Sequence, residues 1–218
     1  MKYDIILFDL DGTLTNPKEG ITRCVQYALA KMNIIEDDLE KLVHFIGPPL
    51  MRTFKEAYHL TDEEANQALS YYRERFSTVG LYENAVFPGI PELLDKLTAQ
   101  GKTLFVATSK PTVFSVRILE HFGLHQYFRA IIGSNLDGTR VEKNEVIEYV
   151  LSELGEYDSG NVLMVGDRKH DIWGAQKNGI AVAAVGYGYG SEEELVGAKP
   201  NFLVNTVAEL EELLLASF

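Results

Sequence analysis

The sequence has little cysteine and no long apolar run. Its 218 residues include one cysteine, Cys24, so the chain cannot form an internal disulfide, and a reducing compartment fits this content. No apolar run approaches the ~18 residues that a membrane-spanning helix requires. The first residues, MKYD, are too acidic and the following run, IILF, is too short for a signal peptide. These absences predict a cytoplasmic protein that is not associated with a membrane.

Positive charge is also scarce. The chain has 32 acidic and 20 basic residues and a formal net charge of −12. Nucleic-acid backbones and anionic membranes attract basic faces, so the charge balance argues against both as partners. If the substrate is an anion, its site must contain local positive charge that reverses this field.

What the sequence does contain is an alternation of apolar strands and amphipathic helices in its C-terminal part. Short, continuously apolar runs are typical of strands that are covered on both faces in a parallel sheet. The predicted strands are 4–8, 103–108, 130–133, 161–166, 180–186 and 201–204. The predicted helices are 88–101, 111–123, 142–155, 171–179 and 206–215. This order predicts a doubly wound, mostly parallel, Rossmann-like α/β fold.

Residues 16–83 interrupt this alternation with helical patterns and no convincing strand. Thr61 followed by Glu64 is a capping box, which predicts the start of one helix. A first strand left alone would be unstable, so it must pair with the later strands. We therefore predict a catalytic core formed by 1–15 and 84–218, with an all-helical domain inserted at 16–83.

The first predicted strand leads into two carboxylates. In ILFDLDGTLT, Asp9 and Asp11 follow the apolar run with only Leu10 between them. Asp-Gly is common in tight turns, and a turn alone would explain the pair. Alternate residues of an extended chain point the same way, however, so one strand end could also present both carboxylates to one ligand.

Further polar residues follow other predicted strands, where a parallel sheet gathers its ligand-binding loops. Each has an ordinary explanation, because a hydroxyl or carboxylate can cap a helix or lie in its first turn, and a lysine can lie on the surface. The set comprises Thr108, Ser109, Lys110, Lys143, Asp167 and Asp171.

Together these residues predict a site more readily than a series of caps. Several carboxylates held close to one another require a cation, and oxygen ligands suit Mg²⁺. Mg²⁺ commonly shares its ligands with a phosphate, and a hydroxyl, backbone N–H groups and a lysine could hold the other phosphate oxygens. The combination predicts a site that binds a phosphate group together with Mg²⁺.

Four stretches resemble the motifs of the haloacid dehalogenase superfamily of Asp-based phosphohydrolases. They are DLDGTLT, LFVATSK, Lys143 and VGDRKHDI, which occur in the order and at the spacing of that superfamily. The helical insert is similar to the cap of the subclass that includes phosphoglycolate phosphatase, β-phosphoglucomutase and some 5′-nucleotidases. The stretch SNLDGTRVEKNEVI is most similar to phosphoglycolate phosphatase-like proteins and 5′-nucleotidases.

The resemblance implies roles for the acidic residues. Asp9 would be the nucleophile and a Mg²⁺ ligand, and Asp11 would be the general acid and base, with its backbone carbonyl on the metal. Asp167 would bind the Mg²⁺, and Asp171 would bind it directly or support a ligand that does.

The resemblance also implies a set of phosphate-binding residues. Thr108, the Ser109 N–H and Lys143 would hold the transferring phosphoryl group, and Gly12 and Thr13 belong to the first motif and would lie against the substrate.

Two positions leave alternatives open. Members of the superfamily often have proline after the motif lysine, whereas Asn144 follows Lys143 here, so Lys110 is a rival phosphate ligand. In the insert, Arg52 in IGPPLMRTF is a candidate for recognising the substrate, and Arg23 is a weaker one.

The predicted function is a Mg²⁺-dependent phosphatase that forms an aspartyl-phosphate, with phosphoglycolate or a nucleoside 5′-monophosphate as candidate substrates. A sugar phosphomutase of the same superfamily is the alternative, since the first step is shared. A receiver-type phospho-acceptor module also gathers carboxylates, threonine and lysine around Mg²⁺, but it typically lacks a helical insert.

Overall fold

A computed structural model of the chain describes residues 3–216. The strands are β1 (Ile5–Phe8), β2 (Thr15–Asn16), β3 (Ala85–Val86), β4 (Thr103–Pro111), β5 (Ala130–Ser134), β6 (Val162–Gly166), β7 (Ala181–Val185) and β8 (Phe202–Val204). The helices are α1 (Lys18–Lys31), α2 (Leu50–Tyr58), α3 (Asp62–Arg75), α4 (Ile90–Ala99), α5 (Thr112–His121), α6 (Lys143–Ser152), α7 (Lys169–Lys177), α8 (Glu192–Ala198) and α9 (Val207–Leu215). Within these residues, no helix is both long and apolar enough to cross a membrane.

The chain forms two compact units. One contains the described residues up to Asn16 and from Val86 onward, and the other is Pro17–Ala85. The two-residue strands β2 and β3 lie at the points where the chain passes from one unit to the other.

The first unit is built on a six-stranded sheet in which each neighbouring pair is parallel. The order across the sheet is β5-β4-β1-β6-β7-β8, so β1 lies between β4 and β6. The chain runs outward from β1 to β5 and returns on the other side of β1 at β6. In such sheets ligands bind beyond the carboxyl ends of the strands at this reversal. The predicted doubly wound α/β fold is confirmed.

The core of this unit lies between the sheet and its helices. Leu7, Met164 and Val182 of three strands are fully buried together with Val146 of α6 and Ile172 of α7. All six predicted strands and the five predicted helices of this part are present. The short helix α8 was not predicted, because its sequence, EEELVGA, begins with three acidic residues and is too short to show a helical period.

The second unit is helical, with α1, α2 and α3 joined by a 3₁₀ segment at Leu39–Phe45 and followed by a π-helical turn at Phe76–Gly80. The capping box of α3 is confirmed. The Thr61 hydroxyl accepts a hydrogen bond from the Glu64 N–H at 3.3 Å, and the Glu64 carboxylate accepts one from the Thr61 N–H at 2.9 Å.

One ion pair within the second unit has two parallel contacts. The Arg75 guanidinium donates to the Glu83 carboxylate at 2.6 and 2.8 Å, and both side chains are partly buried. The hydrogen bonds from Arg75 hold the pKa of Glu83 below its usual value. Bidentate pairs of this kind are among the stronger ionic contacts in proteins.

Candidate active site

The carboxyl end of β1 carries Asp9 and Asp11, and both are buried. The predicted turn is present as well, since the Leu10 carbonyl accepts the N–H of Leu14 at 2.9 Å and of Thr15 at 3.0 Å. It is not a hairpin turn, because both sheet neighbours of β1 are parallel to it. The turn and the paired carboxylates are therefore parts of one feature, in which the chain folds back just beyond the two acids.

The carboxyl end of β6 carries Asp167, and Asp171 follows in the first turn of α7. One carboxylate oxygen from each of Asp9, Asp167 and Asp171 lies within 4.8 Å of the others, and we call these three residues the carboxylate cluster. The Asp171 Oδ2 also accepts the Arg168 N–H at 3.0 Å. Gly166 leaves room for Asp171, because a Cβ at that position would lie 2.3 Å from the Asp171 Cγ.

Lys143, the first residue of α6, supplies positive charge to the cluster. Its Nζ lies 2.7 Å from the Asp9 Oδ1 and 2.8 Å from the Asp171 Oδ1, and it donates a hydrogen bond to the Ala107 carbonyl at 3.0 Å. Burial would lower the pKa of Lys143, but the charges of Asp171 and Asp9 outweigh it, so the pKa lies above its usual value. Lys143 is thus a buried, charged residue and not a surface lysine.

Lys110 pairs with the other carboxylate of the β1 end. Its Nζ lies 2.8 Å from the Asp11 Oδ2, and both side chains are nearly buried. The structure therefore brings both candidate lysines into the site but gives them different carboxylates, Asp9 and Asp171 for Lys143 and Asp11 for Lys110.

The hydroxyl pair at the end of β4 does not cap the next helix. Thr108 is buried, and its Oγ1 accepts the Lys110 N–H at 3.2 Å. The Ser109 carbonyl accepts the Ser134 hydroxyl at 2.8 Å. The N-cap residue of α5 is Pro111, which offers no side-chain hydrogen bond. The capping explanation is therefore wrong for Thr108 and Ser109.

The cluster carries more negative charge than its neighbours balance. Three buried carboxylates face the single ammonium of Lys143, and burial and the charges of Asp171 and Asp9 raise the pKa of Asp167 well above its usual value. Among the described residues, the Asp167 Oδ1 is buried without a hydrogen-bond partner. Buried charged oxygens of this kind normally have a partner, so the site fits a cation with oxygen ligands.

A loop that the sequence reasoning missed holds Asp167. Within GYGYG (186–190), the Tyr189 N–H donates to the Asp167 Oδ2 at 2.7 Å. A Cβ at Gly188 would lie 2.3 Å from the Asp167 Cβ, and one at Gly190 would lie 2.1 Å from the Asp167 carbonyl oxygen. The Tyr187 hydroxyl donates to the Thr13 carbonyl at 3.0 Å. The repeated Gly-Tyr directly after a strand was the available signal.

The other predicted residues lie in the turn after β1 and on two helices of the second unit. Gly12 has a φ of +85°, and a Cβ there would lie 2.1 Å from the Asp167 Oδ2, so only glycine fits. The Thr13 side chain is fully buried beside this turn. Arg52 lies on α2 of the second unit and Arg23 on α1, and both are exposed.

Buried carboxylates, a hydroxyl and two lysines at the reversal point of a parallel sheet define a class of site suited to phosphoryl transfer. The chain belongs to the haloacid dehalogenase-like hydrolases, because the model of that family matches residues 6–185. The predicted family is confirmed.

Known proteins similar to this chain include phosphatases. A 5′-nucleotidase of Pseudomonas aeruginosa is 52% identical over 98% of this chain and 96% of its own length. The crystal structure of a predicted phosphatase from Clostridium acetobutylicum has a TM-score of 0.95 and 48% identity, covering 99% of both chains. The tyrosine-protein kinase PtkA of Mycobacterium tuberculosis is 37% identical over 96% of this chain and 70% of its own length. The chain is a phosphoric monoester hydrolase of this family, which argues against the receiver-type module.

Proposed function

We propose that this chain is a Mg²⁺-dependent phosphatase of small phosphate monoesters that works through an aspartyl-phosphate on Asp9. The observation that carries the proposal is that the two carboxylates at the end of β1, Asp9 and Asp11, have different surroundings. Asp9 belongs to the carboxylate cluster, whereas Asp11 lies outside it and pairs with Lys110. Two carboxylates of one strand end are thus set in different environments, as different roles in one reaction require.

The proposed metal ligands are Asp9 and Asp167, with the Asp11 backbone carbonyl, and Asp171 binds directly or supports them. The donor set is oxygen alone, which suits Mg²⁺, and the raised pKa of Asp167 and its unpartnered Oδ1 support a cation here. When bound, the cation would neutralise charge on the phosphate oxygens.

In the proposed first step the Asp9 carboxylate attacks phosphorus. A new Asp9–phosphorus bond forms, the ester phosphorus–oxygen bond breaks, and Asp11 donates its proton to the leaving oxygen. In the second step Asp11 takes a proton from a water molecule that attacks the aspartyl-phosphate. Phosphate leaves and the Asp9 carboxylate is restored.

The proposed phosphate-binding groups lie around this carboxylate. Lys143 already contacts Asp9, so its ammonium is placed to bind a phosphoryl group that Asp9 attacks. The Thr108 hydroxyl and the Ser109 N–H, with Gly12 and Thr13 of the first motif, complete the proposed set.

For the substrate we favour a nucleoside 5′-monophosphate, because the similar protein of Pseudomonas aeruginosa is a 5′-nucleotidase at 52% identity. Phosphoglycolate is the second candidate, from the resemblance of the motifs. Arg52 of the helical insert, residues 17–85, is the proposed residue that distinguishes substrates. The proposed compartment is the cytoplasm, which the single buried Cys24 fits.

The test is a measurement of phosphate released from nucleoside 5′-monophosphates and phosphoglycolate, with Mg²⁺ and with excess chelator. We expect release with Mg²⁺ only, and its loss in Asp167→Asn but not in Asp95→Asn, which changes an exposed carboxylate. Full activity in chelator would contradict the metal assignment. Transfer of the phosphoryl group to a second position of a sugar phosphate without release of phosphate would favour the mutase.

A further inference from the structure

Lys110 is a buried cation on a carboxylate that does not belong to the carboxylate cluster. Its Nζ lies 2.8 Å from the Asp11 Oδ2, and the two side chains are 6% and 10% exposed. Burying an ammonium is unfavourable unless it is paired, so this contact is a specific feature of the site.

The backbone that carries Lys110 is held in place by β5. The register between β4 and β5 shifts between Ala107 and Pro111, and irregularities of this kind re-aim side chains next to active sites. Gly133 lets the strands approach, because a Cβ there would lie 2.1 Å from the Lys110 carbonyl oxygen. The Ser134 hydroxyl donates to the Ser109 carbonyl at 2.8 Å. The direction of Lys110 is therefore set by the sheet.

The contact with Lys110 gives the two carboxylate oxygens of Asp11 different surroundings. Oδ2 faces the Lys110 ammonium, whereas Oδ1 is buried and has no hydrogen-bond partner among residues 3–216. An ammonium donates hydrogen bonds and accepts none, so a proton on Asp11 must sit on Oδ1 to keep the contact at Oδ2. The contact with Lys110 can then persist whether Asp11 is protonated or not.

We propose that Lys110 is a positioning residue that presents the Oδ1 of Asp11 for proton transfer. This inference rests on the proposed function. As the ester phosphorus–oxygen bond breaks, the proton on Oδ1 passes to the leaving oxygen. In the second step Oδ1 takes the proton of the attacking water. Lys110 holds the carboxylate through Oδ2 in both steps.

This role differs from that of Lys143, which contacts Asp9 and Asp171 and is the proposed phosphate ligand. A phosphate ligand stabilises every phosphate ester alike, whatever its leaving group. Loss of a residue that positions the general acid slows the first step mainly for esters whose leaving oxygen needs a proton. The two roles are therefore separable by leaving group.

The experiment compares kcat/KM, which reports the steps up to departure of the leaving group, for p-nitrophenyl phosphate, which has a good leaving group, and an alkyl phosphate, which has a poor one. We expect Lys110→Met to lower kcat/KM for the alkyl phosphate by about 10²-fold, the lower end of general acid–base effects, and for p-nitrophenyl phosphate by less than about tenfold. Hydrolysis of the aspartyl-phosphate is common to both esters, so its slowing should lower kcat and KM for p-nitrophenyl phosphate together. Lys110→Arg, which retains a cationic donor, should restore much of the loss.

The matched control is Lys102→Met, since Lys102 is also a buried lysine and lies directly before β4, donating to the Tyr3 carbonyl at 2.6 Å. It should leave the ratio of the two kcat/KM values as in the unmodified chain. Urea unfolding reports the stability of each variant, and Lys110→Gln replaces Lys110→Met if the latter does not fold, with a change of the ratio in the same direction expected.

Equal losses of kcat/KM on both esters would overturn the inference and leave the phosphatase assignment intact. If the unmodified chain hydrolysed neither ester, both the proposed function and the inference would be overturned.

Discussion

The Tyr189 backbone N–H lies 2.7 Å from the Oδ2 of Asp167 and donates a hydrogen bond to it. One oxygen of a candidate metal ligand is thus held by the chain itself, and the other, Oδ1, is left open toward the cluster. The glycines on either side of Tyr189 make this contact possible, because a Cβ at either would collide with Asp167.

This relationship predicts the effect of Gly188→Ala. The added Cβ would lie 2.3 Å from the Asp167 Cβ and 2.4 Å from the Gly12 carbonyl oxygen, so Asp167 must move. We expect Mg²⁺ affinity, measured by titration calorimetry, to fall about tenfold or more, as when other supports of metal ligands are removed. The control is Gly197→Ala, where a Cβ meets nothing within 4 Å. Unchanged affinity in Gly188→Ala would show that the loop does not position Asp167.

The cluster also predicts how stability depends on pH. Burial raises the pKa of Asp171 to about 6, above its value in the unfolded chain. A raised pKa means that the folded state binds the proton of Asp171 more tightly than the unfolded chain does. Protonation of Asp171 therefore stabilises the folded state at low pH, and this contribution to the free energy of unfolding is lost as pH rises through about 6. Mg²⁺ replaces protons at the same oxygens. We therefore expect Mg²⁺ to raise the urea midpoint more at pH 8 than at pH 5, with a gain of about 2.7 kcal/mol at a hundred times its Kd.

In Asp167→Asn the gain in stability from Mg²⁺ should be much smaller at both pH values. An equal gain in this variant, or a larger gain at pH 5, would contradict the assignment of the cluster as the metal site.

Replacing Asp9 and replacing Asp11, the two carboxylates at the end of β1, should have different effects on the reaction. Asp9→Asn should abolish turnover. Asp11→Asn should still be phosphorylated by p-nitrophenyl phosphate but lose the intermediate about 10²–10⁴ times more slowly, so that a phosphorylated protein accumulates. Mass spectrometry of the quenched variant should show one added phosphoryl group on Asp9. Normal turnover by Asp9→Asn would exclude the covalent mechanism.

Arg52→Ala tests recognition by the helical insert. If Arg52 reads the leaving group of the substrate, the variant should have a higher KM or lower kcat for the physiological ester while p-nitrophenyl phosphate is spared. Lys55→Ala, which removes another exposed basic side chain of α2, is the matched control. Equal losses on both esters would show that Arg52 does not distinguish substrates.

The pair of Arg75 and Glu83 predicts a stability effect within the helical insert. Glu83→Gln should reduce the free energy of unfolding by about 1.5–3 kcal/mol, typical of hydrogen bonds to charged groups. Because Arg75 lowers the pKa of Glu83, this stabilisation is present above pH ~4.3 and is lost as pH falls below it. Urea unfolding at pH 7 and pH 3 measures the difference. The exposed pair of Lys18 and Glu40 supplies the control, since Glu40→Gln should change stability by less than about 1 kcal/mol.

The strands and the acidic residues of the site could be predicted because both follow from local sequence. Strands buried on both faces read as continuous apolar runs, and parallel strands bring their carboxyl ends to one edge. Asp9, Asp11, Asp167 and Asp171 could therefore be predicted at one edge from their positions after β1 and β6, and the structure places Asp9, Asp167 and Asp171 in one cluster, with Asp11 paired to Lys110 outside it.

What could not be predicted depends on contacts between distant segments. The donor to Asp167 is a backbone N–H of Tyr189, and any residue type carries one. The pairing of Lys110 with Asp11 depends on the register shift in β4, which was predicted to end at Thr108 but continues to Pro111. Lys110 contacts Asp11, whereas Lys143 contacts Asp9 and Asp171, and this assignment depends on how distant segments pack and cannot be read from either motif.

The position of β1 has a consequence for how the chain folds during its synthesis. Ile5 pairs with Thr103 on one side and with Val162 on the other. The strand that leads into the nucleophile candidate is thus made first, and its second neighbour emerges only after most of the chain. Pairings so distant in sequence fold slowly, and unpaired strands are prone to aggregate. The helical insert between Pro17 and Ala85 is a compact unit of its own, so it can fold on the ribosome before β1 pairs with its neighbours.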